Sequence, residues 1–157
     1  MTGEMPAGVT ERYFEDYPPG TVFTAGTIAV SETDIIDFAR RYDPQAMHTD
    51  PEAAARGRFG GLIASGWHTA ALMMRLFVDH FLSPASSVAS PGLDELRWLQ
   101  PVRPGDVLSL RVTVRAARRS RSRPGEGVVR SFVELLNQRG EVVLSLKPIS
   151  LIACRPQ

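Results

Sequence analysis

Gly66-Trp67-His68-Thr69-Ala70-Ala71-Leu72-Met73-Met74-Arg75-Leu76-Phe77-Val78-Asp79-His80-Phe81-Leu82 is the stretch that decides the fold. Its polar side chains His68, Arg75 and Asp79 fall in one narrow stripe at helical spacing. Trp67, Ala70, Ala71, Met73, Met74, Leu76, Phe77, Val78 and Phe81 cover most of the remaining surface. A helix apolar over so wide an arc is surrounded by protein rather than resting on it. The pattern predicts a central helix from Gly66 to about Leu82.

Downstream, helical periodicity disappears. Asp94 to Leu99 reads as a short strand, stopped by Pro101-Val102-Arg103-Pro104-Gly105. Leu108, Leu110, Val112 and Val114 then alternate with Ser109, Arg111, Thr113 and Arg115, as in a half-buried strand. Val128 to Leu136 is another, and Asn137-Gln138-Arg139-Gly140 supplies a hairpin turn into the last. There Val142, Leu144 and Leu146 share one face, but past Pro148 the apolar set passes to Ile149, Leu151 and Ala153. A bulge or bend is expected at Pro148, because proline cannot donate to the ladder.

Upstream, Pro18-Pro19-Gly20 precedes a strand from Thr21 to Val30. Ser31 reads as the cap of a helix with Glu32 and Asp34 in its first turn and Ile35, Ile36, Phe38 and Ala39 on its apolar face. That helix should stop before Pro44. Asp50-Pro51-Glu52 starts a short helix that Gly57 ends. A strand, helices, one long buried helix and then closely linked strands predict a single α+β domain, its antiparallel sheet curled around the helix.

The 157 residues suit one domain, and 43% hydrophobic with 22% charged residues is ordinary globular composition. A net charge of +1 supplies no global attraction for nucleic acid or an anionic membrane. Cys154 is the only cysteine, which excludes an intrachain disulfide and a cysteine zinc cluster. The N-terminal stretch lacks a signal-peptide pattern, and no apolar run reaches the ~18 residues of a membrane span. A cytoplasmic location is expected, with residues 1–11 as a flexible N-terminal segment.

Asp43 and His48 stand either side of a Pro-containing segment expected to be irregular, so their side chains can converge free of helical constraint. A carboxylate beside an imidazole orients the ring and stabilises its charged form, and the pair can take a proton from water and return one elsewhere. Spacing alone is a weak signal, since a helix-ending aspartate and a loop histidine satisfy it equally.

The wider context is more specific. D-P-Q-A-M-H-T-D-P-E-A-A from Asp43, F-G-G-L-I-A-S-G-W-H-T-A-A-L-M-M from Phe59 and R-W-L-Q-P-V-R-P-G-D from Arg97 together resemble the MaoC-like dehydratase family, which includes the R-specific enoyl-CoA hydratases. The resemblance runs over about residues 12–153. It implies a hot-dog fold, a long helix wrapped by an antiparallel sheet, assembled as a homodimer or a dimer of dimers. It implies that Asp43 and His48 are the catalytic pair, activating a water for addition to C3 of an enoyl thioester with a proton delivered to C2 on the same face. The reverse reaction dehydrates an (R)-3-hydroxyacyl thioester. Gly66 matches the glycine whose N–H faces the thioester carbonyl, a donor at a helix N-terminus where charge develops. The thioester is carried by coenzyme A or acyl carrier protein as part of the substrate, and no separate cofactor is implied. Two departures concern substrate: Gln45 and Ala46 stand where the hydratase pattern D-x-N-P-x-H has Asn and Pro, and Ser65 replaces a histidine common before the glycine.

Other residues carry competing readings. Ser65 and Gln45 are candidate substrate contacts, although Ser65 is equally placed to cap the central helix. Trp67, Met73, Met74 and Phe77 form either an acyl-pocket wall or plain core. His68 is expected at the surface or an interface, and His80 as a partner of the helix C-terminal dipole. The three histidines lack a metal-ligand spacing, so no metal is expected. Arg115, Arg118, Arg119, Arg121 and Arg123 form a basic tip, read either as a solvated loop or as an attraction for carrier phosphates. No aromatic residues interleave with it, which argues against nucleic acid. The expected activity is hydration or dehydration of an acyl thioester. Thioesterase activity and non-catalytic thioester binding remain the alternatives.

Overall fold

Alternation along the third strand sets the inner face of the sheet: Leu108, Leu110, Val112 and Val114 are each at most 1% exposed. The computed structural model describes residues 9–157. The expected flexible segment lies, for residues 1–8, outside the described residues. Two short 3-10 turns, Val9–Glu11 and Phe14–Asp16, lead into β1 (Val22–Ala29). Then follow α1 (Glu32–Tyr42), α2 (Ala46–Thr49), α3 (Pro51–Arg56) and α4 (Gly66–His80), and after them β2 (Ser87–Trp98), β3 (Val107–Arg119), β4 (Glu126–Leu136) and β5 (Val142–Ala153). The strands form one antiparallel sheet in the order β1-β3-β4-β5-β2. α4 packs on its inner face through Met73, Leu76 and Phe77, all buried. This is a single α+β hot-dog domain.

Local chemistry explains the helix limits. The Ser31 side chain accepts from the Asp34 N–H and starts α1. Asp50 accepts from the N–H groups of Glu52 and Ala53, and Pro51 opens α3. At the far end of α4, the Tyr17 hydroxyl donates to the Phe81 carbonyl at 2.7 Å and Arg12 donates to that of His80 at 2.7 Å. Carbonyls that the helix itself leaves unpaired are thus satisfied. The His80 ring occupies the space a side chain at Gly26 would need, a Cβ there falling 2.3 Å from its Nε2.

Four expectations need correction. β2 begins at Ser87, seven positions before the predicted strand, because Pro91 and Gly92 read as a turn. They are tolerated on an edge strand whose pairing with β5 shifts register between Ser87 and Ala89, Ala89 and Gly92, and Asp94 and Arg97. Pro148 carries no bulge: β4 and β5 keep one register from Glu126↔Ala153 through to Leu135↔Leu144. Ile152 is fully buried, so the inward parity of Leu144 and Leu146 persists, and the half-buried Ile149 and Leu151 lie on the outer face. α4 is not wrapped on every side, since Trp67, Met74 and Val78 are 59%, 45% and 47% exposed. His68, expected at the surface or an interface, is 6% exposed within the single chain and stacks on Phe38 with centroids 4.8 Å apart. Arg75 and Asp79 do form the exposed part of the polar stripe, as an i,i+4 pair.

Burial pushes the His68 pKa below its usual value, against a weaker opposing pull from Asp34, and its Nδ1 finds no partner among the described residues. The fold therefore favours the neutral ring, and the unfolded chain takes the proton first as pH falls. Stability is present in full above the ordinary histidine value of ~6.5 and is lost as pH drops below it toward the lowered folded-state value. Thermal melts between pH 7.5 and 5.5 should show Tm declining in the native chain and declining less in His68→Leu. Equal slopes would assign the decline elsewhere.

Candidate active site

The site forms where α1 ends. Asp43 is the C-cap of α1, its N–H bonded to the Ala39 carbonyl at 2.8 Å, and Pro44 prevents continuation. The segment expected to be irregular instead contains the single turn α2, closed by the His48 N–H on the Gln45 carbonyl at 2.9 Å. That turn faces His48 inward, where it is 5% exposed. Its Nδ1 lies 2.7 Å from the Ile63 carbonyl. A carbonyl only accepts, so Nδ1 carries the hydrogen, and in the neutral ring Nε2 holds the lone pair. Nε2 is 3.4 Å from Asp43 Oδ2.

Asp43 is held from both sides. The Gln45 amide donates to Oδ1 at 2.7 Å, and the Ser65 hydroxyl donates to Oδ2 at 2.7 Å. These two hydrogen bonds, Gln45 first, hold its carboxyl below the usual aspartate range; burial opposes them, and His48 adds a smaller lowering. Ser65 is fully buried and also accepts from the Trp67 N–H at 3.3 Å, so it caps α4 with the same oxygen that reaches Asp43. Its segment is pinned between neighbours, the Ile63 N–H on Met47 O at 3.1 Å and the Ala64 N–H on Val102 O at 2.8 Å.

Gly66 is the first residue of α4, so its N–H has no acceptor within the helix. Its neighbour is Trp98 from the end of β2, whose Nε1 donates to the Gly66 carbonyl at 2.7 Å. A Cβ on Gly66 would fall 2.5 Å from that indole. Trp67 meets Trp98 edge-on, centroids 5.3 Å apart. A cavity of about 440 Å³ opens here, lined by Asp43, His48, Phe59, Ile63, Gly66, Trp67, Thr69, Trp98, Leu99, Gln100 and Val102 among others.

Of the residues singled out from sequence, Asp43, His48, Gly66 and Trp67 thus meet at one cavity. Gln45 and Ser65 do not line it; each instead bonds Asp43. Met73 and Phe77 are core, while Met74 is exposed. Trp98, Phe59 and Leu99 were not singled out, although Trp98 and Leu99 sit in the R-W-L-Q-P block, because an apolar wall has no spacing signature of its own. Among the described residues no cluster of His, Cys, Asp or Glu is arranged to hold a metal ion.

Residues 15–134 match the family described as MaoC like domain. The crystal structure of the MaoC-like dehydratase from Rhodospirillum rubrum is 41% identical, covers 93% of this chain and 99% of its own, and superposes with a TM-score of 0.86. The uncharacterized protein YdeM of Bacillus subtilis is 36% identical over 94 residues, 60% of this chain and 67% of that protein. Protein MaoC of Klebsiella aerogenes is 34% identical over 103 residues, 65% of this chain but only 30% of that longer protein.

The clamp on Asp43 has a direct test. Carbon-detected NMR titration should place its carboxyl below the ordinary aspartate value of ~3.9, and Gln45→Ala or Ser65→Ala should each raise it. The sign follows from removing a donor to the charged form. Unmoved titrations in both variants would mean that neither bond stabilises the carboxylate.

Proposed function

Because this chain belongs to the MaoC-like domain family, we propose that it adds water to, or removes water from, an acyl thioester at the Asp43–His48 pair. The observation that carries this reading is the buried His48, whose Nε2 stands 3.4 Å from Asp43 Oδ2 where both residues line one mostly apolar cavity. One water bridging these two atoms is bonded to a base on one side and to a fixed carboxylate on the other.

In the hydration direction His48 takes a proton from that water, whose oxygen bonds to C3 of an enoyl thioester. The C2–C3 π electrons shift toward the thioester carbonyl, whose developing negative charge meets the Gly66 N–H at the start of α4. The proton held on Nε2 then passes to C2, so the elements of water add to one face. Asp43, kept ionised by Gln45 and Ser65, orients the water and stabilises the charged imidazole. This division of roles follows from the two donors on Asp43, since a carboxylate so held is a poor proton carrier. The family resemblance implies an (R)-3-hydroxyacyl product, and the carrier is coenzyme A or acyl carrier protein.

The functional unit is a homodimer. Trp67, Met74 and Val78 of α4 and Val88, Leu93 and Trp98 of β2 are large apolar side chains left exposed on one chain. β2 is also a sheet edge with one side unpaired, a natural template for a second copy. Sedimentation analysis should return twice the chain mass at micromolar concentration; a monomer would reject the dimer.

His48→Ala should cut hydration of crotonyl-CoA by roughly 10²–10⁴-fold, the usual scale of general acid–base catalysis, and Asp43→Asn should cause a comparable loss. Circular dichroism should stay native in both. Near-normal turnover in both variants would reject the mechanism, and release of free thiol from the substrate would point to hydrolysis instead.

A further inference from the structure

Phe59 lines the cavity, and two guanidinium groups bracket it. Arg58 lies over its ring, 6.0 Å from the centroid. Arg103, from the turn before β3, donates from Nη2 to the Phe59 carbonyl at 2.7 Å. A Cβ on Gly61 would come 3.3 Å from Arg103 Nη1, so the glycine leaves room for the guanidinium against the loop. Both arginines are exposed, and neither has a carboxylate partner among the described residues. Asp106, the nearest acid in sequence to Arg103, is occupied by the Arg103 backbone N–H and the Gln138 amide. Two guanidinium groups without a carboxylate partner thus flank the Phe59 side of a mostly apolar cavity.

We infer that Arg58 and Arg103 form a phosphate-binding subsite for the carrier of the acyl thioester, at the Phe59 rim of the cavity. This rests on the thioester reading above. Coenzyme A and the prosthetic arm of acyl carrier protein share the needed chemistry, a pantetheine chain ending in a phosphate ester. Guanidinium matches phosphate through paired, charge-assisted hydrogen bonds. Arg103 spends one of its five N–H groups on the Phe59 carbonyl, which fixes the fork and leaves four donors for a ligand. A fixed fork loses less freedom on binding than a free side chain. The basic tip fits this role less well within one chain. Arg119 is paired with Glu15 and Arg123 with Glu126. The tip also lies at the opposite end of β3 from Val107, on the order of 40 Å along a 13-residue strand.

Calorimetric titration of the full chain with coenzyme A, 4′-phosphopantetheine and pantetheine separates the possibilities. The native chain should bind coenzyme A more tightly than pantetheine, and added salt should shrink the difference. Arg58→Ala and Arg103→Ala should each weaken coenzyme A binding about tenfold and leave pantetheine binding unchanged. Arginine-dependent binding of 4′-phosphopantetheine would place the contact at the phosphate both carriers share. Dependence confined to coenzyme A would place it at the nucleotide phosphates. Either result supports the subsite. Equal weakening of all three ligands would mean that the arginines only support the loop and would overturn it, as would no native preference for phosphate. The Arg58 side chain makes no backbone bond among the described residues, so Arg58→Ala guards against a folding defect in the Arg103 variant. Failure of the hydration reading would appear separately, as arginine-dependent phosphate binding in a chain that turns over no enoyl thioester.

Discussion

One hydroxyl joins the central helix to the Asp43–His48 pair. Ser65 accepts the Trp67 N–H that α4 cannot satisfy and donates to the carboxylate that terminates α1. A helix start needs an acceptor, and a carboxylate in a half-buried corner needs a donor; an alcohol supplies both. The relative position of α1 and α4 is thereby set to hydrogen-bond precision. His48 inherits the same reference, because its ring is anchored to the Ile63 carbonyl two residues before Ser65. A shift of α4 along its axis would disturb the cap, the carboxylate and the imidazole together.

The cavity is built from elements distant in sequence that the fold makes adjacent. α1 and α2 bring polar groups, the segment before α4 brings the Ile63 carbonyl, the first residue of α4 brings the Gly66 N–H, and β2 brings an indole. Polar groups occupy one wall and apolar ones most of the rest. Within such a site a charge is poorly screened, so the fixed carboxylate acts on the imidazolium more strongly than it would in water. Arg58 and Arg103 at the Phe59 edge are exposed, where they meet water and ions.

Much of this was legible in the sequence because it rests on strong local signals. Capping residues at Ser31 and Asp50, the proline stop at Pro44, the alternation of β3 and the apolar arc of α4 each have one dominant structural meaning. The errors fall where local and tertiary preferences disagree. Pro91 and Gly92 are turn formers by local preference, but an edge strand tolerates both, and β2 runs through them. Pro148 suggested a bend, yet β5 keeps its register across it and the irregular pairing lies on the β2 side. The single turn at Ala46–Thr49 is too short to leave a periodic pattern. His68 has a polar ring that the sequence assigns outward, whereas stacking on Phe38 draws it in. For the site, residue types and family blocks pointed to Asp43 and His48. That Gln45 and Ser65 serve Asp43 rather than the cavity depends on side-chain direction, which spacing does not encode.

The contact between Gly66 and Trp98 has one further consequence. The volume next to the Gly66 backbone is filled by an indole from another strand, not by a side chain grown from α4 itself. That part of the wall is therefore an interchangeable fitting. Its shape can be altered by exchanging one residue at the rim of the sheet, while the helix, its cap and the groups anchored to them keep their places. Exchange of Trp98 would thus reshape the cavity beside Gly66 from outside α4, without touching Asp43 or His48.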